Sequence, residues 1–321
     1  MALPFIPSDA GLIALQAGVV AAPRAAPRIE RLERLRGPAW AVVPIASIVI
    51  VVFAIRYVSD TATGLTYLAL VAVPPLAAGA LAWAAVGGSV RRTRVIWSVC
   101  VTAALFAVAW NWSQSLAGEA AAALLSALSC VTLGVLLAAV APAPWLKLGI
   151  VAMAVADSWL VVSDLLQAPN ATLVAAHPVA GLPRLQSEIF GTVTMGYGDL
   201  FVAALLGAVL AGDRRRQLTA AAMTFVFAAV FDLLFLVVSE LPATVPVAAV
   251  LIVLEARARI RVYRGRDVRP GRPWKRPRER ASVEDAWSEA VAALRRTPRG
   301  RSITKVTGRI RACRPSGPLA G

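Results

Sequence analysis

The chain has 321 residues, a hydrophobic fraction of 58%, a charged fraction of 16% and a mean hydropathy of +0.69. That is too apolar for a soluble domain of ordinary make-up and puts the chain in the membrane class. The formal net charge is +15, and the three cysteines, Cys100, Cys130 and Cys313, suggest neither a disulfide framework nor a zinc site.

Residues 1–38 read as an N-terminal surface segment that runs into a basic juxtamembrane stretch. Pro4, Pro7 and Asp9, with no early basic cluster, argue against a cleaved signal peptide. Runs with few or no charges then recur at 39–55, 64–88, 95–112, 118–141, 145–166, 190–212, 217–239 and 241–255. Most approach the roughly 20 residues that a helix needs to cross the hydrocarbon, which gives eight spans. Pro74 and Pro75 are expected to kink the second span, where neighbouring helices satisfy the freed backbone groups.

Of the 33 Lys and Arg residues, only Arg56 and Arg184 fall outside one set of alternate loops. This alternation predicts an all-α polytopic membrane protein of eight transmembrane helices, with both termini cytoplasmic, in the plasma membrane. The transmembrane domain is read as 39–256. The remaining 257–321 form a basic cytoplasmic tail with nineteen basic and five acidic residues, mostly disordered apart from a short amphipathic helix at 282–296. Such a tail suits anionic lipid at the inner leaflet, and without a zinc-finger or RNP-like motif it implies no specific nucleic acid. The lone histidine, His177, lies in the external loop 167–188 with no metal-binding partners nearby in sequence.

Three carboxylates lie well inside spans: Asp157 in the fifth, Asp199 in the sixth and Asp232 in the seventh. An ionised carboxylate at the bilayer centre costs roughly 2.5–3.5 kcal/mol on insertion scales, so each asks for a reason. Counted from the flanking charges, Asp157 and Asp199 fall at similar depth on adjacent spans. Two carboxyls brought together in a wet cavity share one proton, which suits hydrolysis: one takes a proton from water while the other donates. Asp232 is a third acid at a depth from which it could reach the same place.

The acids have company in Gly196-Tyr197-Gly198-Asp199 and Leu241-Pro242-Ala243-Thr244. In this ordered set the chain resembles the Gly-x-Gly-Asp intramembrane aspartyl proteases, the presenilin and signal peptide peptidase family. The likeness covers about 110 residues. It departs from the family at Ala156, where a Tyr is usual, at Thr244, where Pro-Ala-Leu ends in Leu, and in having eight spans rather than nine. The resemblance implies Asp157 and Asp199 as the catalytic dyad, with Gly196, Tyr197, Gly198, Leu241, Pro242 and Ala243 as substrate-binding and supporting residues. It implies single-pass membrane helices or signal-peptide remnants as substrates, and no metal or organic cofactor. Pro242 would loosen the start of the last span, leaving backbone groups to hold an extended substrate.

Thr192-Val193-Thr194-Met195-Gly196-Tyr197-Gly198-Asp199 also looks like a potassium-channel selectivity filter. Only thirteen residues separate Asp199 from Asp213 and the three arginines that follow, too few for the spanning helix a filter needs. A prepilin-peptidase relative is a further alternative, although Phe201 stands where that family has Lys. A transporter, scaffold or inactive relative is the non-enzymatic alternative, for which no inverted repeat is evident.

Overall fold

The computed structural model describes residues 7–24, 37–43, 46, 50, 54, 61–86, 91–163, 171–172, 175–176, 182–191, 193–236 and 241–267. Eight α-helices are described: α1 (Pro7–Ala21), α2 (Thr61–Gly79), α3 (Arg92–Asn111), α4 (Leu116–Val140), α5 (Ala143–Val162), α6 (Tyr197–Leu210), α7 (Arg214–Phe231) and α8 (Thr244–Asp267). Strands β1 (Ser187–Phe190) and β2 (Val193–Gly196) form an antiparallel hairpin between α5 and α6. The chain divides into a unit ending at Arg261 and another beginning at Val262.

Among the described residues, five helical stretches are long and apolar enough to cross a membrane: Thr61–Ala84, Arg92–Asn111, Leu116–Val140, Ala143–Val162 and Arg214–Leu234. They make the first unit a helical membrane domain. The expected span at 39–55 and the tail helix at 282–296 lie outside the described residues, save for isolated positions and a short 3-10 turn at Pro38–Ala41. His177 lies outside them as well.

α4 is the axis of the domain. Ser115 starts it by accepting a hydrogen bond from the Gly118 N–H at 3.2 Å. Leu125, Ser126, Ser129, Cys130, Val131 and Val135 are buried along it. Gly134 lets α6 approach closely, because a Cβ there would stand 2.9 Å from the Ala204 carbonyl carbon. The facing residues Leu200 and Val202 to Leu206 are buried in the same core. On α2 the helix continues through Pro74 and Pro75 and widens to a π turn at Ala80–Ala84, where the Thr132 hydroxyl donates to Leu76 O at 2.7 Å. On the far side Glu255 of α8 accepts from Lys147 of α5 at 2.8 Å and from Arg216 of α7 at 2.6 Å, joining three helices.

Three segments differ from the sequence expectation. Pro7–Ala21 does not lie on the surface: Leu12, Ile13, Gln16, Val19 and Val20 are buried against α6 and α7. Its apolar residues surround the helix broadly, so burial on several sides is the favourable outcome. The run 190–212 is not one helix. Gly191, at φ 63, turns the chain between β1 and β2, and the helix begins only at Tyr197. The last helix does not stop at the first arginine of the tail but continues from Thr244 to Asp267.

α1 runs between two levels of the domain. At its start, Ser8 stands beside the hairpin turn at Gly191, whose N–H donates to Glu119 of α4 at 2.7 Å. At its end, Gln217 of α7 donates to Val20 O at 3.0 Å and to Pro23 O at 2.9 Å, and Arg214 donates to Ala21 O. These donors satisfy carbonyls that a helix C-terminus leaves without intrahelical partners.

Candidate active site

Asp199 is the third residue of α6, directly after the hairpin. Gly196 ends β2 in an extended conformation, and its N–H donates to Asp199 Oδ2 at 3.1 Å, so the acid is held by its own turn. Tyr197 anchors that turn to α4: its hydroxyl lies 2.7 Å from Ser129 Oγ, and its carbonyl accepts from Cys130 Sγ at 3.7 Å. A Cβ on Gly198 would meet nothing within 4 Å, so the space beside the acid is open.

Asp157 comes from the C-terminal half of α5, and its Oδ2 accepts from Thr244 Oγ1 at 2.6 Å. Thr244 is the first residue of α8, so the helix begins just past Pro242-Ala243 and leaves that dipeptide outside it. The Asp157 carboxyl is near enough for Asp199 to feel its charge. The residues singled out in sequence therefore converge: Asp157 from α5, Asp199 from α6, and Ala243-Thr244 at the head of α8.

A cavity of about 90 Å³ lies beside Asp199, bordered by Val193, Thr194 and Met195 of β2, by Leu241, Ala243 and Pro246, and by Asp232. That is room for several waters among polar partners. Asp232 sits where α7 tightens into a 3-10 turn at Asp232–Leu236, and the charge it feels is that of Asp9.

Sequence reasoning missed the contribution of α1. Asp9 and Gln16 line the same cavity, and Gln16 Nε2 donates to the Ala243 carbonyl at 3.0 Å. The only signal was a glutamine and an aspartate in an otherwise apolar stretch. Glu188 was missed too. It is 1% exposed in β1, pairs with Met195 across the hairpin, and interacts electrostatically with Asp199. Neither of its carboxyl oxygens has a hydrogen-bond partner among the described residues, and burial pushes the group up to about 8.

Among the described residues no group of three or more His, Cys, Asp or Glu side chains is placed to hold a metal ion. No protein-family model, curated protein or solved structure matches the chain.

Proposed function

We propose that this chain is an intramembrane aspartyl protease of the plasma membrane that hydrolyses peptide bonds within single-pass helices or signal-peptide remnants. The observation that carries the reading is that Asp199, on the wall of a cavity that Ala243 also borders, feels the charge of Asp157 from a separate helix, while Asp157 is hydrogen-bonded to Thr244 just past the non-helical Pro242-Ala243. In this chemistry the ionised acid takes a proton from water as its oxygen attacks the peptide carbonyl carbon. The protonated acid gives its proton to the carbonyl oxygen, forming a gem-diol. The first acid then protonates the amide nitrogen as the C–N bond breaks, and a diol hydroxyl returns a proton to the second.

A substrate helix must unwind before its backbone can reach two carboxyls. β2 borders the cavity, belongs to a two-stranded sheet and leads into Asp199, so its outer edge suits pairing with an extended peptide. The exposed Ile96, Trp97, Val155 and Trp159 are natural lipid-facing positions. The basic tail suits anionic lipid.

For topology we infer nine crossing segments, not eight: α1, the apolar run at 39–55, and α2 to α8. α1 spans about 22 Å at 1.5 Å per residue and connects the level of the α3–α4 turn with that of the α6–α7 turn. With the basic clusters and the C-terminus cytoplasmic, an odd count places the start of α1 outside.

The experiment is reconstitution in proteoliposomes with a panel of labelled single-span helices. Cleavage by the parent that is lost in both Asp157→Asn and Asp199→Asn supports the protease. Cleavage that survives in either variant, or none by the parent, removes it.

A further inference from the structure

Asp157 and Asp199 are held in different ways. Asp199 accepts from the N–H of Gly196, three residues back in its own turn, at 3.1 Å. Asp157 is held from another helix: the Thr244 hydroxyl lies 2.6 Å from its Oδ2, and the Thr244 backbone N–H faces the same carboxyl. The first N–H groups of a helix have no partner within it, and Asp157 supplies one for α8. Thr244 is 5% exposed, so water does not compete well for this contact.

We propose that Thr244 is the positioning residue that makes Asp157 the base of the pair. A donated hydroxyl fixes Asp157 as hydrogen-bond acceptor, and with it the direction from which the carboxylate meets the attacking water. The proton shared by the dyad is left to Asp199, which delivers it to the peptide carbonyl oxygen. Thr244 also follows Ala243, which borders the cavity and whose carbonyl is held by Gln16. A peptide strand seated along Pro242-Ala243 thus presses on the residue that orients the base, which couples substrate docking to the chemical step. The inference rests on the protease reading.

The test compares Thr244→Val, which keeps the shape and loses the donor, with Thr244→Ser, which keeps the donor. A hydrogen bond to a charged group corresponds to a change of about tenfold or more. In proteoliposomes Thr244→Val is expected to lower kcat about tenfold with KM unchanged, the pattern of a lost transition-state interaction, and Thr244→Ser to restore kcat to within about twofold. A second readout needs no turnover: in isotope-edited infrared spectra of the purified protein, the carboxyl band removed by Asp157→Asn should change frequency in Thr244→Val and not in Thr244→Ser. An unchanged kcat in Thr244→Val, failure of Thr244→Ser to rescue, or an unmoved band overturns the proposal. If the parent cuts no helix the protease reading falls, and the base role with it. The infrared band then still decides the Thr244 contact separately.

Discussion

The side-chain amide of Gln16 donates to the carbonyl of Ala243 at 3.0 Å, joining residues 227 positions apart in the chain. Gln16 is 1% exposed, so the bond has little access to bulk water, and a carbonyl left without a donor there is costly. The first helix is thereby tied to the segment that precedes α8. Gln16→Leu keeps the volume and removes the donor. It is expected to destabilise the protein by about 1–3 kcal/mol, read as a lower thermal midpoint in detergent. A midpoint equal to the parent's would mean that α1 is not tied to Ala243.

The three acids near the cavity are not equivalent. Asp199 feels the charge of Asp157, whereas Asp232, at the end of α7, is influenced by Asp9 of α1. Asp157→Asn and Asp199→Asn should each abolish proteolysis, since a proton-sharing pair has no function with one member lost. Asp232→Asn should keep much of it. Cleavage rates on one single-span substrate decide this: a dead Asp232→Asn beside an active Asp157→Asn would move the dyad to Asp199 and Asp232.

How far these features can be read from sequence depends on their length and company. α2 to α5 are legible because each is an apolar run near membrane thickness bounded by charge or by a turn. α1 is not, because its fifteen residues fall short of that length and its burial is decided by α6 and α7, remote in sequence. The hairpin is hidden for a different reason: Ile189, Phe190, Val193 and Met195 continue the apolar run of α6, and only Gly191 marks the turn. Asp157 and Asp199 stand out as charges in apolar runs. Gln16 and Thr244 do not, since neutral polar residues are common in membrane helices and their partners lie 227 and 87 positions away.

The depth of α1 has a consequence for sidedness. Ser8 lies at the level of Gly191 and Glu119, and Ala21 at the level of Arg214. A tag placed before Ala2 should therefore be accessible from outside intact cells, as should one inserted within 167–188. Fusions after Arg216 and at the C-terminus should report cytoplasmic. A cytoplasmic N-terminal tag would sink the nine-segment count, because α1 would then have to enter and leave by the same face.

Close packing of α4 on α6 sets the position of the hairpin and of Asp199, and it depends on the missing side chain at Gly134. A β-carbon there would stand 2.9 Å from the carbonyl carbon and 3.0 Å from the carbonyl oxygen of Ala204, backbone atoms that cannot swing aside. Gly134→Val should force the helices apart and cost about 1–3 kcal/mol, the usual range for overpacking a core. The thermal midpoint in detergent should fall accordingly, and a midpoint at or above the parent's would show that the two helices are not in backbone contact.

Glu188 makes stability depend on pH in an unusual direction. Its carboxyl is buried in the hairpin without a hydrogen-bond partner among the described residues, and burial, with the Asp199 charge adding to it, raises it from 4.5 to about 8. The unfolded chain gives up this proton near pH 4.5, whereas the folded protein keeps it until about pH 8. Between those values the unfolded state binds fewer protons, so Glu188 makes folding progressively less favourable as pH rises; below pH 4.5 that penalty is absent. Glu188→Gln has nearly the same shape and no proton to lose. Its thermal midpoint should match the parent's below pH 4.5 and exceed it increasingly toward pH 8. A difference that stays constant across that window would mean that the side chain reaches water or a partner, and that it does not hold a proton beside Asp199.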